Sequence, residues 1–272
     1  MLLLLGCTFS HDDPAPPDTA GARCEDDGAH VSCTHQTLVF ATGVSSREVH
    51  WQVPAGAAPE AGWPAVFLFQ GSTQTAELAW EADADMAFGG IWQARLVAAL
   101  LDQGFAVITP EAGWNGVTWW QTNTWPCAIA WEGCEDDRLM EAMLAAVADG
   151  TFGPLDPDAV FATGISSGGY MTSRMALSYP GQFRALAIQS ASWATCAGVL
   201  CALPARLPQG HPPTLFLHGD ADVVVPIVTM RAYADRLTTD GVEVERIEDP
   251  GVGHAWSEHA PDEVPAWFLE HR

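Results

Sequence analysis

Apolar residues along this chain fall into two patterns. The first is a set of short continuous runs, Ala65–Phe69, Phe105–Thr109, Ala159–Ile165, Ala185–Ser190 and Thr214–His218. Runs of this length suit strands buried on both faces, as in a parallel sheet. The second is a set of helix-length segments, Ile91–Gln103, Glu135–Asp149, Met171–Tyr179, Ile227–Thr239 and a short terminal one at Asp262–His271. Gly104 closes the first of these, and Glu135, Asp136 and Asp137 place acid in the first turn of the second. Leu38–Thr42 and Glu48–Val53 predict an antiparallel hairpin at a sheet edge, and Val242–Glu248 predicts a last strand. Strands alternating with helices predict an α/β fold, a mostly parallel, doubly wound sheet with helices on both faces. Thr8–Gly28 is rich in Asp, Pro, Ala and Gly and reads as a flexible tether. The folded domain is therefore expected over 37–272, with 1–36 as leader and tether.

One junction carries chemistry. Between the Ala159–Ile165 strand and the helix from Met171 lies Gly164-Ile165-Ser166-Ser167-Gly168-Gly169. A Gly-x-Ser-x-Gly at a strand-to-helix turn is the context of a nucleophile elbow. The turn lifts the serine clear of the backbone, and the glycines let strand and helix approach. The helix N-terminus aims free N–H groups and a positive dipole end at the same place.

A serine hydroxyl needs a base, and the base needs a carboxylate to fix its tautomer. In α/β-hydrolases the three arrive in the order Ser, Asp, His. Here Ser166, Asp222 and His254 each follow a strand, so all three are expected on one edge of the sheet. Asp220 competes with Asp222 for the acid role; the helix start near Pro226 favours Asp222. The N–H of Ser167 and that of Ser72, or of Gly71, are candidate oxyanion donors, because Gly71-Ser72 follows the Ala65–Phe69 strand.

Charge and cysteines narrow the setting. The chain of 272 residues carries 34 acidic and 11 basic side chains, all of them arginine, for a net charge of −23. Such a surface repels phosphate backbones and argues against a nucleic-acid partner. No apolar stretch is long enough to span a bilayer. Met1–Cys7 ends in Leu-Gly-Cys and resembles a bacterial lipoprotein signal, which would make Cys7 a lipid-modified anchor at a membrane surface. The other six cysteines fall in three close pairs, Cys24 with Cys33, Cys127 with Cys134 and Cys196 with Cys201, as disulfides of an exported protein would. Metal ligation is the rival for them, but no zinc-site spacing occurs.

Gly71-Ser72-Thr73-Gln74-Thr75-Ala76, the elbow through Met171, His218-Gly219-x-x-Asp222-x-x-Val225-Pro226 and Gly253-His254-Ala255-Trp256 resemble the esterase family of secreted polyhydroxybutyrate depolymerases. Its relatives include feruloyl and acetylxylan esterases. The resemblance covers roughly 37 to 270. It implies the α/β-hydrolase fold, Ser166, Asp222 and His254 as the triad, and Ser72 and Ser167 as oxyanion donors. The chain departs from the family in having Gln70-Gly71 where His-Gly is usual, and Ser72-Thr73-Gln74 where Cys-Thr-Gln is common. A backbone donor tolerates both changes.

Five tryptophans lie between Trp114 and Trp131, and Trp256 follows the base. They read either as packing around Cys127 and Cys134 or as an aromatic cleft over the serine, with Trp119, Trp120, Trp256 and Gln70 as substrate contacts. Glu111, Gln121 and Asn123 could add polar contacts. The expectation is a serine esterase acting through an acyl-enzyme on hydroxyalkanoate, feruloyl or acetyl-sugar esters, with no metal, organic cofactor or obligate protein partner. The alternatives are a serine peptidase of the same fold and a non-catalytic surface lipoprotein that binds glycan or polymer.

Overall fold

The computed structural model describes residues 21–113, 118–197 and 200–272. Cys7 and Trp114 lie outside them. Eleven strands and five α-helices follow in chain order: β1 (Cys24–Asp26), β2 (His30–Cys33), β3 (Gln36–Ala41), β4 (Ser46–Gln52), β5 (Trp63–Phe69), β6 (Glu81–Asp83), α1 (Gly90–Asp102), β7 (Ala106–Pro110), α2 (Glu135–Asp149), β8 (Leu155–Ile165), α3 (Ser167–Ser178), β9 (Leu186–Gln189), β10 (Thr214–Gly219), α4 (Ile227–Thr239), β11 (Val244–Asp249) and α5 (Ala260–Glu270).

Eight strands form the main sheet in the order β11-β10-β9-β8-β5-β7-β4-β3. The strands from β7 to β11 across the sheet are parallel, and β4 and β3 add an antiparallel edge. The continuous apolar run in β5 is buried on both faces. Val66 and Leu68 pack toward α1 and α5, while Ala65, Phe67 and Phe69 pack toward α2 and α3. Met230, Tyr233 and Leu237 of α4 close a third cluster over Ile188 and Phe216. The chain runs from β5 outward to β7, then back across to β8 on the other side of β5. The winding therefore reverses between β5 and β8. The crevice beyond the strands' carboxyl ends at such a point is where open α/β sheets bind ligands.

Residues 8–20 of the expected tether lie outside the described residues, and its remainder is folded. Residues 24–33 form a hairpin that pairs with β6 in a separate three-stranded sheet. The Asp-rich stretch is its turn: Asp26 accepts from Gly28 N (2.8 Å), and Asp27 accepts from Ala29 N (2.9 Å). Arg95 of α1 clamps Asp26 at 2.9 Å, buried Arg23 donates to Val53 O at 3.0 Å, and Val31 enters the core. Polarity that resembled a linker is therefore turn chemistry, and the folded part begins before residue 24 rather than at 37. Disulfides join Cys24–Cys33, Cys127–Cys134 and Cys196–Cys201, bonds that form and persist in oxidising compartments. Among the described residues no helix is long and apolar enough to cross a membrane.

Candidate active site

Ser166 sits between β8 and α3 with φ 55° and ψ −121°, a region that side chains rarely occupy. The surrounding glycines explain how the turn is held. A Cβ on Gly164 would lie 2.6 Å from both Phe69 O and Gly168 O, and one on Gly168 would lie 2.0 Å from Phe69 O. On Gly169 it would press Ala191 Cβ at 2.5 Å. Only hydrogen fits at these positions, so β8, β5 and α3 meet backbone to backbone. Ser166 N donates to Gln189 O at 3.1 Å, which ties the turn to β9.

The loop after β10 brings Asp222 to the same edge, and the loop after β11 brings His254. His254 Nδ1 lies 2.7 Å from Asp222 Oδ2. The other carboxylate oxygen accepts from Val224 N and Val225 N, each at 2.8 Å. Buried His218 donates from Nε2 to Val225 O at 2.8 Å and leaves the same nitrogen 3.3 Å from Asp222 Oδ2. Burial opposes the charge on Asp222. The hydrogen bonds from His218, His254 and Val225 N–H outweigh it and hold the carboxyl well below the usual carboxylate range. Asp222 is thus an anion at any working pH. Asp220 faces elsewhere and accepts from Gly251 N at 2.6 Å in the loop leading to His254.

The two candidate amides opposite Ser166 differ. Gly71 N donates to Gln74 Oε1 at 3.3 Å, so it is engaged within its own loop. Ser72 N has no backbone acceptor among the described residues. Ser167 opens α3, where the first N–H groups have no intrahelical partner. Ser72 and Ser167 both border the space over Ser166.

Two clefts open beside Ser166. The smaller, about 180 Å³, is lined by Phe88, Ile165, Val224 and His254. The larger, about 290 Å³, is lined by Trp119, Asn123, Tyr170, Ala197 and Val225, with Trp120 beneath. Among the expected substrate contacts, Trp119 reaches this larger cleft. Trp120 is fully buried, its indole N–H donating to Gln70 O at 3.1 Å. Trp256 belongs to the core under α1 and α5, and its backbone N–H donates to Phe88 O at 2.9 Å. Gln70 is also sealed inside. Its neighbours fix the orientation of its carboxamide: with nitrogen toward Pro110 O (3.0 Å) and oxygen toward Ala112 N (2.7 Å), both ends are satisfied. Trp256 and Gln70 are therefore framework rather than substrate contacts, and Trp120 is a floor.

Of the polar candidates, Glu111 and Gln121 are structural, whereas Asn123 both ties a loop and borders the larger cleft. Glu111 accepts from Ala76 N at 2.6 Å, and burial pushes its carboxyl up. Gln121 and Asp136 exchange hydrogen bonds of 2.6 and 3.2 Å. Asn123 Nδ2 donates to Cys196 O at 2.9 Å and so links two disulfide-bearing loops. Phe88 and Val224, absent from the expected site, both line the smaller cleft. Phe88 precedes Gly89-Gly90, a pair that marks an unusual turn but not its destination.

No protein-family model matches the chain. A poly(3-hydroxyoctanoate) depolymerase from Pseudomonas fluorescens is 45% identical over 271 residues, 99% of this chain and 96% of that protein. An acetyl xylan esterase from Aspergillus awamori superposes with a TM-score of 0.65 at 18% identity, over 87% of this chain and 99% of that one. The esterase PE8 superposes with a TM-score of 0.57 at 20% identity, over 82% and 97% respectively. The two structural likenesses establish the α/β-hydrolase fold.

Proposed function

Since the chain belongs to the poly(3-hydroxyoctanoate) depolymerase family and is accordingly a carboxylic ester hydrolase, we propose that it cleaves aliphatic hydroxyalkanoate esters, polymer or oligomer, through Ser166, Asp222 and His254. The observation that carries the substrate class is 45% identity sustained over 99% of the chain. The contact that supports the mechanism is the 2.7 Å bond between His254 and the Asp222 anion, beside a serine on a strained elbow.

In this reading Asp222 fixes the His254 tautomer that leaves Nε2 as the acceptor. Ser166 Oγ attacks the ester carbonyl, and its proton passes to His254 Nε2. The carbonyl oxygen becomes an anion that accepts from Ser167 N and Ser72 N. Collapse breaks the ester C–O bond, and His254 returns the proton to the departing alkoxide. Water then loses a proton to His254 as it attacks the acyl-enzyme, the adduct collapses with cleavage of the acyl C–Oγ bond, and His254 returns the proton to Ser166 Oγ. The buried negative charge of Asp222 stabilises the imidazolium in both halves.

The test is titrimetric hydrolysis of 3-hydroxyoctanoate oligomers, p-nitrophenyl acetate and acetylated xylan. Ser166→Ala is expected to lose about a millionfold in kcat, and Asp222→Asn about ten-thousandfold. Asp220→Asn should stay within a few-fold of wild type. Hydroxyoctanoate oligomers should be turned over best. Preference for acetylated xylan would move the substrate to the sugar esters, and a fully active Ser166→Ala would overturn the mechanism.

A further inference from the structure

We propose that the two clefts beside Ser166 are an alcohol site and an acyl site, told apart by His254, and that Phe88 sets the preference for the leaving alcohol. The inference rests on the serine mechanism above and assigns its substrate sites.

Once Ser166 Oγ is bonded to the carbonyl carbon, two substituents must go somewhere, the acyl chain and the alkoxy group. The proton held on His254 has to reach the alkoxy oxygen, so the alcohol lies on the histidine side. His254 borders the smaller cleft, together with Phe88 and Val224. The larger cleft reaches Ser166 past Ser167 and Tyr170, and His254 is not in its wall. The alcohol therefore enters beside Phe88, and the acyl chain beside Trp119. Deacylating water takes the place the alcohol has vacated, since it must deliver its proton to the same nitrogen.

Phe88 is held where it is at a cost. Its backbone is left-handed, φ 58° and ψ 26°, which is uncommon for a bulky residue. Its carbonyl accepts from Trp256 N at 2.9 Å. The next residue, Gly89, packs so closely that a Cβ there would lie 3.0 Å from Trp256 O. The loop is thus bolted to the segment that follows His254. The ring it presents is half-exposed and stands edge-on to His254, 6.2 Å between centroids. A strained backbone that leaves a phenyl ring in water beside the base is explained when the ring has a ligand to cover it. That ligand is a secondary alcohol bearing an alkyl branch, which would lie across Phe88; Val224 stands between the two clefts and borders both.

The experiment separates the two substituents. One series holds the acyl group at octanoyl and varies the alcohol from methyl to octyl; the other holds methyl and varies the acyl chain from acetyl to decanoyl. Phe88→Ala is expected to lower kcat/KM about tenfold for the long alcohols and to leave the acyl-length profile parallel to wild type. Phe88→Leu should recover most of the loss. Trp119→Ala should do the reverse, flattening the acyl series alone. With methyl 3-hydroxyoctanoate added as competing nucleophile, Phe88→Ala should shift the acyl-enzyme's partition toward water. A Phe88→Ala profile that changes with acyl length, or that falls equally in both series, would overturn the assignment. Full turnover by Ser166→Ala would instead remove the mechanism on which it rests, and the two failures read out separately.

Discussion

At the edge that carries Ser166, backbone touches backbone. In the loops that face it, 118–134 and 191–197, side chains bridge segments far apart in sequence. Gly164 and Gly168 let β5, β8 and α3 meet at distances no side chain could share. The facing wall is assembled from single contacts. Thr122 donates to Ala194 O at 3.0 Å, and Asn123 donates to Cys196 O at 2.9 Å. Arg174 of α3 holds Thr122 O at 2.6 Å and lies 4.9 Å over the Trp131 ring. The Cys127–Cys134 and Cys196–Cys201 bonds close the two loops on themselves. A rigid edge suits the atoms that react, and a stapled wall suits the part that receives a variable chain.

The sharpest way to break this contrast is to give the edge a methyl group. Gly168→Ala would place Cβ 2.0 Å from Phe69 O and 2.5 Å from Gln70 O, backbone atoms at and just past the end of β5. A cost of about 3 kcal/mol or more is expected, with activity lost because Ser166 and the Ser167 amide move together. Gly181→Ala is the control. Its φ is +81° with nothing within 4 Å of the new Cβ, so it bears strain alone, about 1 kcal/mol. Urea unfolding of the two variants measures the difference. Equal costs would mean that close approach at the elbow is not what the glycine supplies.

The same contrast governs what could be read from sequence. The elbow is local: a β-prone run, small residues at fixed spacing and a helix are all visible within a dozen positions, and so are the loops holding Asp222 and His254. The parallel core was equally visible, because a continuous apolar run such as Ala65–Phe69 admits few other uses. Gln70 and Trp256 misled because each stands beside a site residue in sequence and turns inward, Gln70 between Pro110 and Ala112, Trp256 beneath α1. At Gln70, just past β5, one step reverses a side chain, while Trp256 turns inward within the loop two residues past His254, and sequence alone fixes neither. Phe88 was illegible for the opposite reason: it reaches the cleft through its bond to Trp256 N, far along the chain. The Asp26-Asp27-Gly28 turn looked like tether until Arg95 supplied a partner for the Asp26 carboxylate and for Gly28 O.

A middle-sized effect tests whether the wall is separable from the edge. Replacing Cys127 and Cys134 together by serine frees a short loop, and the chain-entropy account puts the loss at about 2 kcal/mol. Asp222 and His254 take no support from that loop, so kcat for p-nitrophenyl acetate should hold within about threefold, while KM for hydroxyoctanoate oligomers rises. A collapse of kcat on the small ester would show that wall and edge act as one unit.

The smallest expected effect lies away from both, at His211, just ahead of the amino end of β10. Its Nε2 accepts from Tyr233 OH at 2.6 Å, and its Nδ1 donates to Pro212 O at 2.8 Å, so the ring is neutral with the proton on Nδ1. Burial depresses its pKa to about 4. An unfolded histidine takes up a proton near pH 6.5, whereas the folded one refuses it until about pH 4. Above pH 6.5 both states are neutral, and His211 adds no pH dependence. Between pH 6.5 and 4 the unfolded chain binds the extra proton, so acid destabilises the fold by about 1.4 kcal/mol per pH unit from this group. His211→Gln keeps an acceptor for Tyr233 and removes the titration. Its unfolding free energy should fall less steeply over that window than wild type's, with both converging on their own plateaus above pH 7. Because the edge that carries Ser166 takes nothing from His211, the pH profile of ester hydrolysis should be the same for both proteins, and a shifted profile would show that the opposite end of the sheet communicates with Ser166 after all.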